Sequence, residues 1–370
     1  MLHPQAIVLP PRRPALPSLT ALRAIAAAGV FVAHSGFFVG RTDVTASLQD
    51  GGGAGGVTFF FVLSGTILAY NYFGEFSRQR FYRKRFARIY PVYLLAFVLG
   101  AFVIAAKDGG IAFLSPELIT KNLLMVQGWF PHGEAVPGTA WTLSCEMLFY
   151  ASFPLLIAGL RRIPDRSLAL AGGLLLALAL VSANLVHLAT PGDGFFLSPL
   201  GRVPEFAMGL LLGLHLPRLI GEPASLLRRR STPLLFACAV AVVAWPFAGN
   251  QWSPLRENVN LYVPICMVAI AAAAAADLEG PHWLSHRRFV VAGLWSYAFY
   301  SIHESIIRVI DGVFETHPSL PLGLAMGIVT FVGVGIAAGL IFRYWEEPWR
   351  ERIGASRPKE VILTSQGAAP

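Results

Sequence analysis

Residues 19–38 read LTALRAIAAAGVFVAHSGFF. A helix rises 1.5 Å per residue, so about 20 such residues cross the roughly 30 Å of hydrocarbon in a bilayer. Its only ionisable residues are Arg23 and His34. Comparable stretches recur along the chain, and they set the expected spans: 19–40, 54–73, 90–106, 140–160, 167–188, 200–216, 232–248, 258–276, 289–311 and 321–344. The reading is an all-α, polytopic membrane protein of about ten transmembrane helices. An interrupted apolar stretch at 112–130 is expected to form an interfacial or re-entrant helix.

Composition agrees. The 370 residues are 55% hydrophobic and 14% charged, against about 25% charged in soluble domains. The net charge of +8 would point to nucleic acid in a soluble protein. Here basic loops account for it, and no nucleic-acid partner is expected. Cys145, Cys238 and Cys266 lie in apolar segments without metal-ligand spacing, so neither a disulfide framework nor a metal site is expected. Residues 1–17 form an N-terminal tail, and the first apolar segment lacks the cleavage pattern of a signal peptide.

Loop charge sets orientation, because Lys and Arg accumulate on the cytoplasmic side. With the N-terminus inside, the inner segments hold Arg12 and Arg13, six cations between Arg78 and Arg88, Arg161, Arg162, Arg166, Arg218, Arg228–Arg230, Arg287 and Arg288. Further arginines and a lysine follow from Arg343. The outer segments hold Arg41, Lys107, Lys121 and Arg256. Both termini are therefore expected in the cytoplasm.

An ionisable side chain at a helix centre costs roughly 2.5–3.5 kcal/mol on insertion scales, which makes each a functional candidate. These are Arg23, His34, Glu146, Arg202, Glu205, His303, Glu304 and Arg308. Arg23 and His34 are separated by about three helical turns, so they share a face about 16 Å apart along the axis. That geometry suits a long donor with an anionic head near Arg23 and a reactive tail near His34. Arg23 could instead snorkel to the interface, and a lone His could be a packing residue.

The stretch FYRKRFARIYPVY begins at Phe81. It places Arg85 and Arg88 three apart in a cytoplasmic loop just before a helix whose first turn would hold Pro91. The pair could clamp a phosphate or serve as topological anchoring, as Arg228–Arg230 are expected to do. Glu146, His34 and His303 are expected at one depth, where they could serve acid–base chemistry or a proton relay. The run GGGAGG at 51–56 lacks the Lys-Ser/Thr ending of a phosphate loop and is read as a flexible lead into a tightly packed helix. His282 and His286 lack metal-ligand spacing.

Taken in order, LTALRAIAAAGVFVAHSGFF, GGVTFFFVLSGTILAY, RFARIYPVYLL, WTLSCEMLFYASFPLL, GRVPEFAMGLLLG, SYAFYSIHESII and FRYWEEPWR resemble the acyltransferase 3 family of bacterial integral membrane O-acyltransferases. The resemblance implies a membrane acyltransferase domain over 18–350, with 351–370 a disordered cytoplasmic tail. It also implies a multi-pass protein of the bacterial inner (cytoplasmic) membrane.

The same resemblance implies transfer of an acyl group, usually acetyl, from acyl-CoA to a hydroxyl. The acceptor would be a cell-surface or exported glycan or another hydroxyl compound. Acyl-CoA is then a co-substrate, and no cofactor is held permanently. By analogy His34 is the essential histidine and Arg23 its partner, while Arg85 and Arg88 hold the donor. Trp141, Ser144, Glu146 and Tyr150 fall on a family motif, in which Thr142 replaces the more usual Ser. Glu146 is read as a second catalytic residue. Trp141, Ser144, Tyr150 and His303 are read as substrate-binding, with Trp141 and Ser144 candidate donors to the thioester oxygen. Thr58 stands where many members have an acidic or other polar residue. His34 would deprotonate the acceptor for direct attack or carry the acyl group itself. The competing reading is a transporter that uses the buried ionisable groups as a path. A third is a non-catalytic membrane subunit.

Overall fold

A computed structural model of the chain describes residues 14–40, 42–72, 74, 76–107, 110, 114–130, 135–163, 167, 170, 172–174, 176–177, 198–219, 226–248, 261–314 and 318–354. Most of the expected span at 167–188, most of both tails, and Arg12, Arg13, Arg41, Arg166 and Arg256 lie outside the described residues. Among the described residues there is no strand.

The helices in chain order are α1 Pro17–Ala33, the single turn α2 Gly36–Val39, α3 Asp43–Asn71 and α4 Arg78–Lys107. The short α5 Pro116–Leu123 and α6 Trp141–Leu160 follow. Beyond them come α7 Val203–Leu219, α8 Ser231–Ala248, α9 Tyr262–Glu279, α10 Arg287–Val313 and α11 Leu320–Ile341. A π turn, Phe342–Glu346, carries α11 into α12 Glu347–Gly354. Thr45–Asn71, Arg78–Ala106, Gly138–Leu160 and Leu320–Ile353 are long and apolar enough to cross a membrane. Pro17–Ala33, Ser231–Trp245 and Tyr262–Leu278 are shorter apolar helices. The chain is a membrane protein.

Three expectations change. The first span is not one helix to residue 40: α1 stops at Ala33 and His34 caps it. The Ser35 hydroxyl donates to Val32 O at 2.6 Å, a local bond that competes with the helical ladder. Second, the run GGGAGG is not a flexible lead but part of α3. A Cβ on Gly52 would stand 2.5 Å from Gly29 O, so the bare backbone is what lets α3 lie against α1. Third, Pro91 is not in a first turn, and the basic run is not a loop: α4 begins at Arg78 and contains both. Tyr297 OH donates to Ile89 O and Trp345 Nε1 to Pro91 O, both at 2.8 Å.

The bundle packs around α3, which lies against α1, α7, α8 and α9. Gly65 on α3 meets the backbone of α7 at Phe206, and Gly209 and Gly213 on α7 meet the α3 backbone at Val62 and Thr66. These contacts leave no room for a Cβ. Helix α10 packs against α1, α4 and α11, and α12 lies along α4. The N-terminal end of α1 is clamped to α9: Asp277 accepts the Ser18 N–H at 3.0 Å and its hydroxyl at 2.5 Å. His282 closes the clamp, 3.0 Å from Ser18 Oγ and 3.2 Å from Asp277. Ser18 is buried and gives its hydrogen to the carboxylate, so this trio is structural and not nucleophilic.

Above α6, Asn122 accepts Val136 N–H at 2.9 Å while Gln127 Nε2 donates to Ala140 O at 2.7 Å. These bonds fasten the 112–130 segment to the turn that begins α6. Helices α1, α3, α4, α6 and α10 thereby enclose the space described next.

Candidate active site

Two cavities share walls inside this ring. The larger, about 150 Å³, is lined by Arg23, Arg85, Arg88, Glu146 and Tyr150 among others. The smaller, about 50 Å³, continues from it past Arg23, Phe60, Glu146 and Tyr297 to Thr142 and Tyr300. Each helix gives the same direction. On α3 the lining moves from Leu68 back to Val57, on α6 from Tyr150 back to Thr142, and on α10 from Tyr297 to Tyr300.

The larger cavity gathers charge. Arg85 lies 5.8–5.9 Å from the rings of Tyr72, Phe81 and Tyr150, where cation–π attraction holds it. Arg23 and Arg88 are within electrostatic reach of each other, of Glu146 and of Tyr150. Tyr150 OH donates to Glu146 Oε2 at 3.1 Å. Among the described residues, the Nε atoms of Arg23 and Arg85 are buried with no hydrogen-bond partner. Buried donors of this kind call for an acceptor, and in a cationic cavity an anion is the natural one.

Glu346 on the π turn belongs to the same cluster, within electrostatic reach of Arg88, Arg350 and Arg23. It is buried. Nothing in the local sequence FRYWEEPWR marks Glu346 as a site residue. Only the docking of α12 along α4 brings that carboxylate to the arginines.

One turn of α10 beyond Tyr300 lies the histidine pair. His34 Nδ1 is 2.8 Å from Val30 O, and His303 Nδ1 is 2.8 Å from Tyr300 O. A carbonyl oxygen only accepts, so both Nδ1 atoms carry hydrogen. His303 Nε2 is then bare and sits 3.2 Å from His34 Nδ1, where it shares that N–H. The rings meet edge-on with centroids 5.0 Å apart. This arrangement leaves Nε2 of His34 as the unprotonated nitrogen, and it provides an acceptor behind the ring for the charge that arises when Nε2 takes a proton.

The structure thus joins His34 with His303, and Arg23 with Arg85, Arg88, Glu146 and Tyr150. It does not place Glu146 in the histidine layer. The carboxylate there is Glu304, within electrostatic reach of His34 and His303. Glu304 accepts the Thr139 N–H at 2.6 Å and pairs with Arg308 at 2.9 Å. Neither His34 nor His303 lines these two cavities, and His303 backs His34. Ser144 is buried and accepts the Gly128 N–H at 2.9 Å, so it pins a turn. Trp141 lies under the Arg202 guanidinium, 5.3 Å from centroid to carbon.

Arg202 in turn pairs with Glu205 at 2.6 Å. Thr58 donates to the same oxygen at 2.8 Å, so α7 supplies a carboxylate beside Thr58. The three cysteines are buried and free.

A family described as an acyltransferase domain matches residues 16–340. The chain is 30% identical to acyltransferase MdmB of Streptomyces mycarofaciens, with 95% of each chain covered. It is 29% identical to exopolysaccharide production protein ExoZ of Rhizobium meliloti, over 82% of this chain and 92% of that one. An uncharacterized Haemophilus influenzae protein is 29% identical over 57% of this chain and 92% of its own length. No solved structure matches.

Proposed function

The chain belongs to the acyltransferase 3 family and is an acyltransferase, and from that premise we propose that it moves an acyl group, acetyl first, from acyl-CoA to a hydroxyl of a cell-surface or exported glycan. The observation that carries the donor assignment is the larger cavity. Three arginines converge there, two with buried Nε atoms lacking a partner, and the nucleotide half of CoA is rich in phosphate. The smaller cavity leads from that cluster to Thr142 and Tyr300, one turn of α10 short of the histidine pair, the direction a pantetheine arm would take. The likeness to an exopolysaccharide production protein supports a glycan acceptor.

In this reading the arginine end faces the cytoplasm, where acyl-CoA is found, as the loop charges imply. Reporter fusions at the C-terminus should then show cytoplasmic activity only, and an extracytoplasmic signal would refute the orientation. The acceptor hydroxyl gives its proton to Nε2 of His34, and His303 accepts from the Nδ1–H behind it. The acyl carbon passes to the acceptor oxygen directly or by way of His34.

The deciding experiment supplies radiolabelled acetyl-CoA to membrane vesicles that carry the protein and its endogenous acceptors. Label should enter glycan as free CoA accumulates. Movement of substrate across the membrane without CoA release would favour the transport reading, and no observation at the site does so now.

A further inference from the structure

The reaction needs a hydrogen-bond donor for the oxygen of the thioester carbonyl. Whichever atom attacks, the carbon becomes tetrahedral and its oxygen takes negative charge. In an apolar membrane interior that charge has no water to turn to. Trp141 and Ser144, the sequence candidates, do not line the cavities, and their nearest polar and cationic neighbours lie elsewhere. Two other hydroxyls do stand at the far end of the smaller cavity: Tyr300 and Thr142.

They are 3.0 Å apart and lean on one carbonyl, that of Thr139, at 3.2 Å from Tyr300 and 3.0 Å from Thr142. Each hydroxyl has a single hydrogen. If Thr142 gives its hydrogen to Thr139 O, Tyr300 is left with a long bond to the same oxygen or one to Thr142 Oγ1. Its hydrogen can turn to a better acceptor at little cost. The frame beneath is fixed: Glu304 holds the Thr139 N–H at 2.6 Å.

Tyr300 is joined to the proposed base through one intervening ring. It touches His303, with centroids 5.8 Å apart, and His303 touches His34 at 5.0 Å.

We infer that the Tyr300 hydroxyl, steadied by Thr142, donates the hydrogen bond that stabilises the oxyanion formed on the donor's thioester carbonyl. The inference rests on the acyl-CoA reading above. In the direct route the acceptor O–H proton goes to His34 Nε2 as the new C–O bond forms, and the carbonyl electron pair moves to the oxygen facing Tyr300. The pair then returns, the C–S bond breaks, and the CoA thiolate takes the proton back from His34. Ester and free CoA result, and Tyr300 keeps its proton throughout.

The test is transfer of label from acetyl-CoA in vesicles, paired with CoA binding to purified protein in nanodiscs. Tyr300→Phe keeps the ring and should lower the maximal rate about 10²–10³-fold, with apparent KM for acetyl-CoA and affinity for CoA changed less than about threefold. A maximal rate within about threefold of wild type would overturn the inference. So would a loss of CoA affinity in step with the rate, which would make Tyr300 a wall of the cavity. Should Tyr300→Phe not fold, Thr142→Val decides: about a tenfold loss in maximal rate is expected, and an unchanged rate overturns the proposal. Wild-type vesicles that transfer no label would instead refute the donor assignment.

Discussion

Glu304 on α10 accepts the backbone N–H of Thr139 at 2.6 Å and so ties the turn before α6 to the helix that carries His303. The neighbouring Gly138 lies against the same carboxylate, where a Cβ would stand 2.5 Å from Oε1. One side chain therefore sets the distance between the two helices that wall the smaller cavity. Hydrogen bonds to a buried charged group contribute about 1.5–3 kcal/mol each. Glu304→Ala is expected to lower the unfolding temperature in detergent, and Glu304→Gln, which keeps an acceptor, to lower it less. Equal melting of all three proteins would show that the tie carries no stability.

The histidine pair has an ordered prediction. His34→Ala should insert and bind CoA yet transfer no acyl group. His303→Phe preserves the ring but offers no acceptor to His34 Nδ1, so turnover should fall by about 10²-fold or more with donor affinity retained. Transfer and CoA binding, measured on both variants, check this. A fully active, inserted His34→Ala protein would remove His34 from the mechanism.

For the arginines, each of Arg23→Ala, Arg85→Ala and Arg88→Ala should weaken acyl-CoA by about ten- to a hundredfold, or roughly 1.5–3 kcal/mol. The loss should fall on apparent affinity, because these groups hold the head of the donor and not its reacting carbon. Arg88→Lys should hurt too, since an ammonium lacks the planar fork. Arg229 and Arg230 are exposed, and alanine there should leave donor affinity nearly untouched. If Arg88→Ala and Arg229→Ala weakened the donor equally, the cluster would be anchoring.

Helix packing can be probed without touching the site. Gly209 faces the Val62 carbonyl with no space for a Cβ, whereas Gly335 on α11 has nothing within 4 Å. Gly209→Val should cost about 1–3 kcal/mol or more and reduce the yield of monodisperse protein. Gly335→Val should be silent by the same gel-filtration assay. A silent Gly209→Val would mean that α3 and α7 can separate freely.

The sequence alone determined that the chain lives in a membrane, because apolar length against bilayer thickness is a local property that no partner can alter. It also singled out Arg23, His34, Glu146 and His303, since a charge in hydrocarbon is costly wherever its helix goes, and Arg85 and Arg88 as a cationic pair three residues apart. The family was legible from seven motifs in order, and the family match over 16–340 bears it out. The shared depth of His34 and His303 was legible as well, but that of Glu146 and the partners across the gap were not. Helical periodicity gives the face of one helix and says nothing of its rotation against the next. Tertiary packing alone decided that Glu146 joins the arginines while Glu304 joins the histidines. It likewise decided that Ser144 and Trp141 turn to structural partners, and that Tyr300 and Thr142, from α10 and α6, close the cavity. Those assignments depend on backbone approach at bare glycines and on bonds such as Glu304 to Thr139. Both kinds of contact join residues far apart in the chain, and no local pattern encodes them.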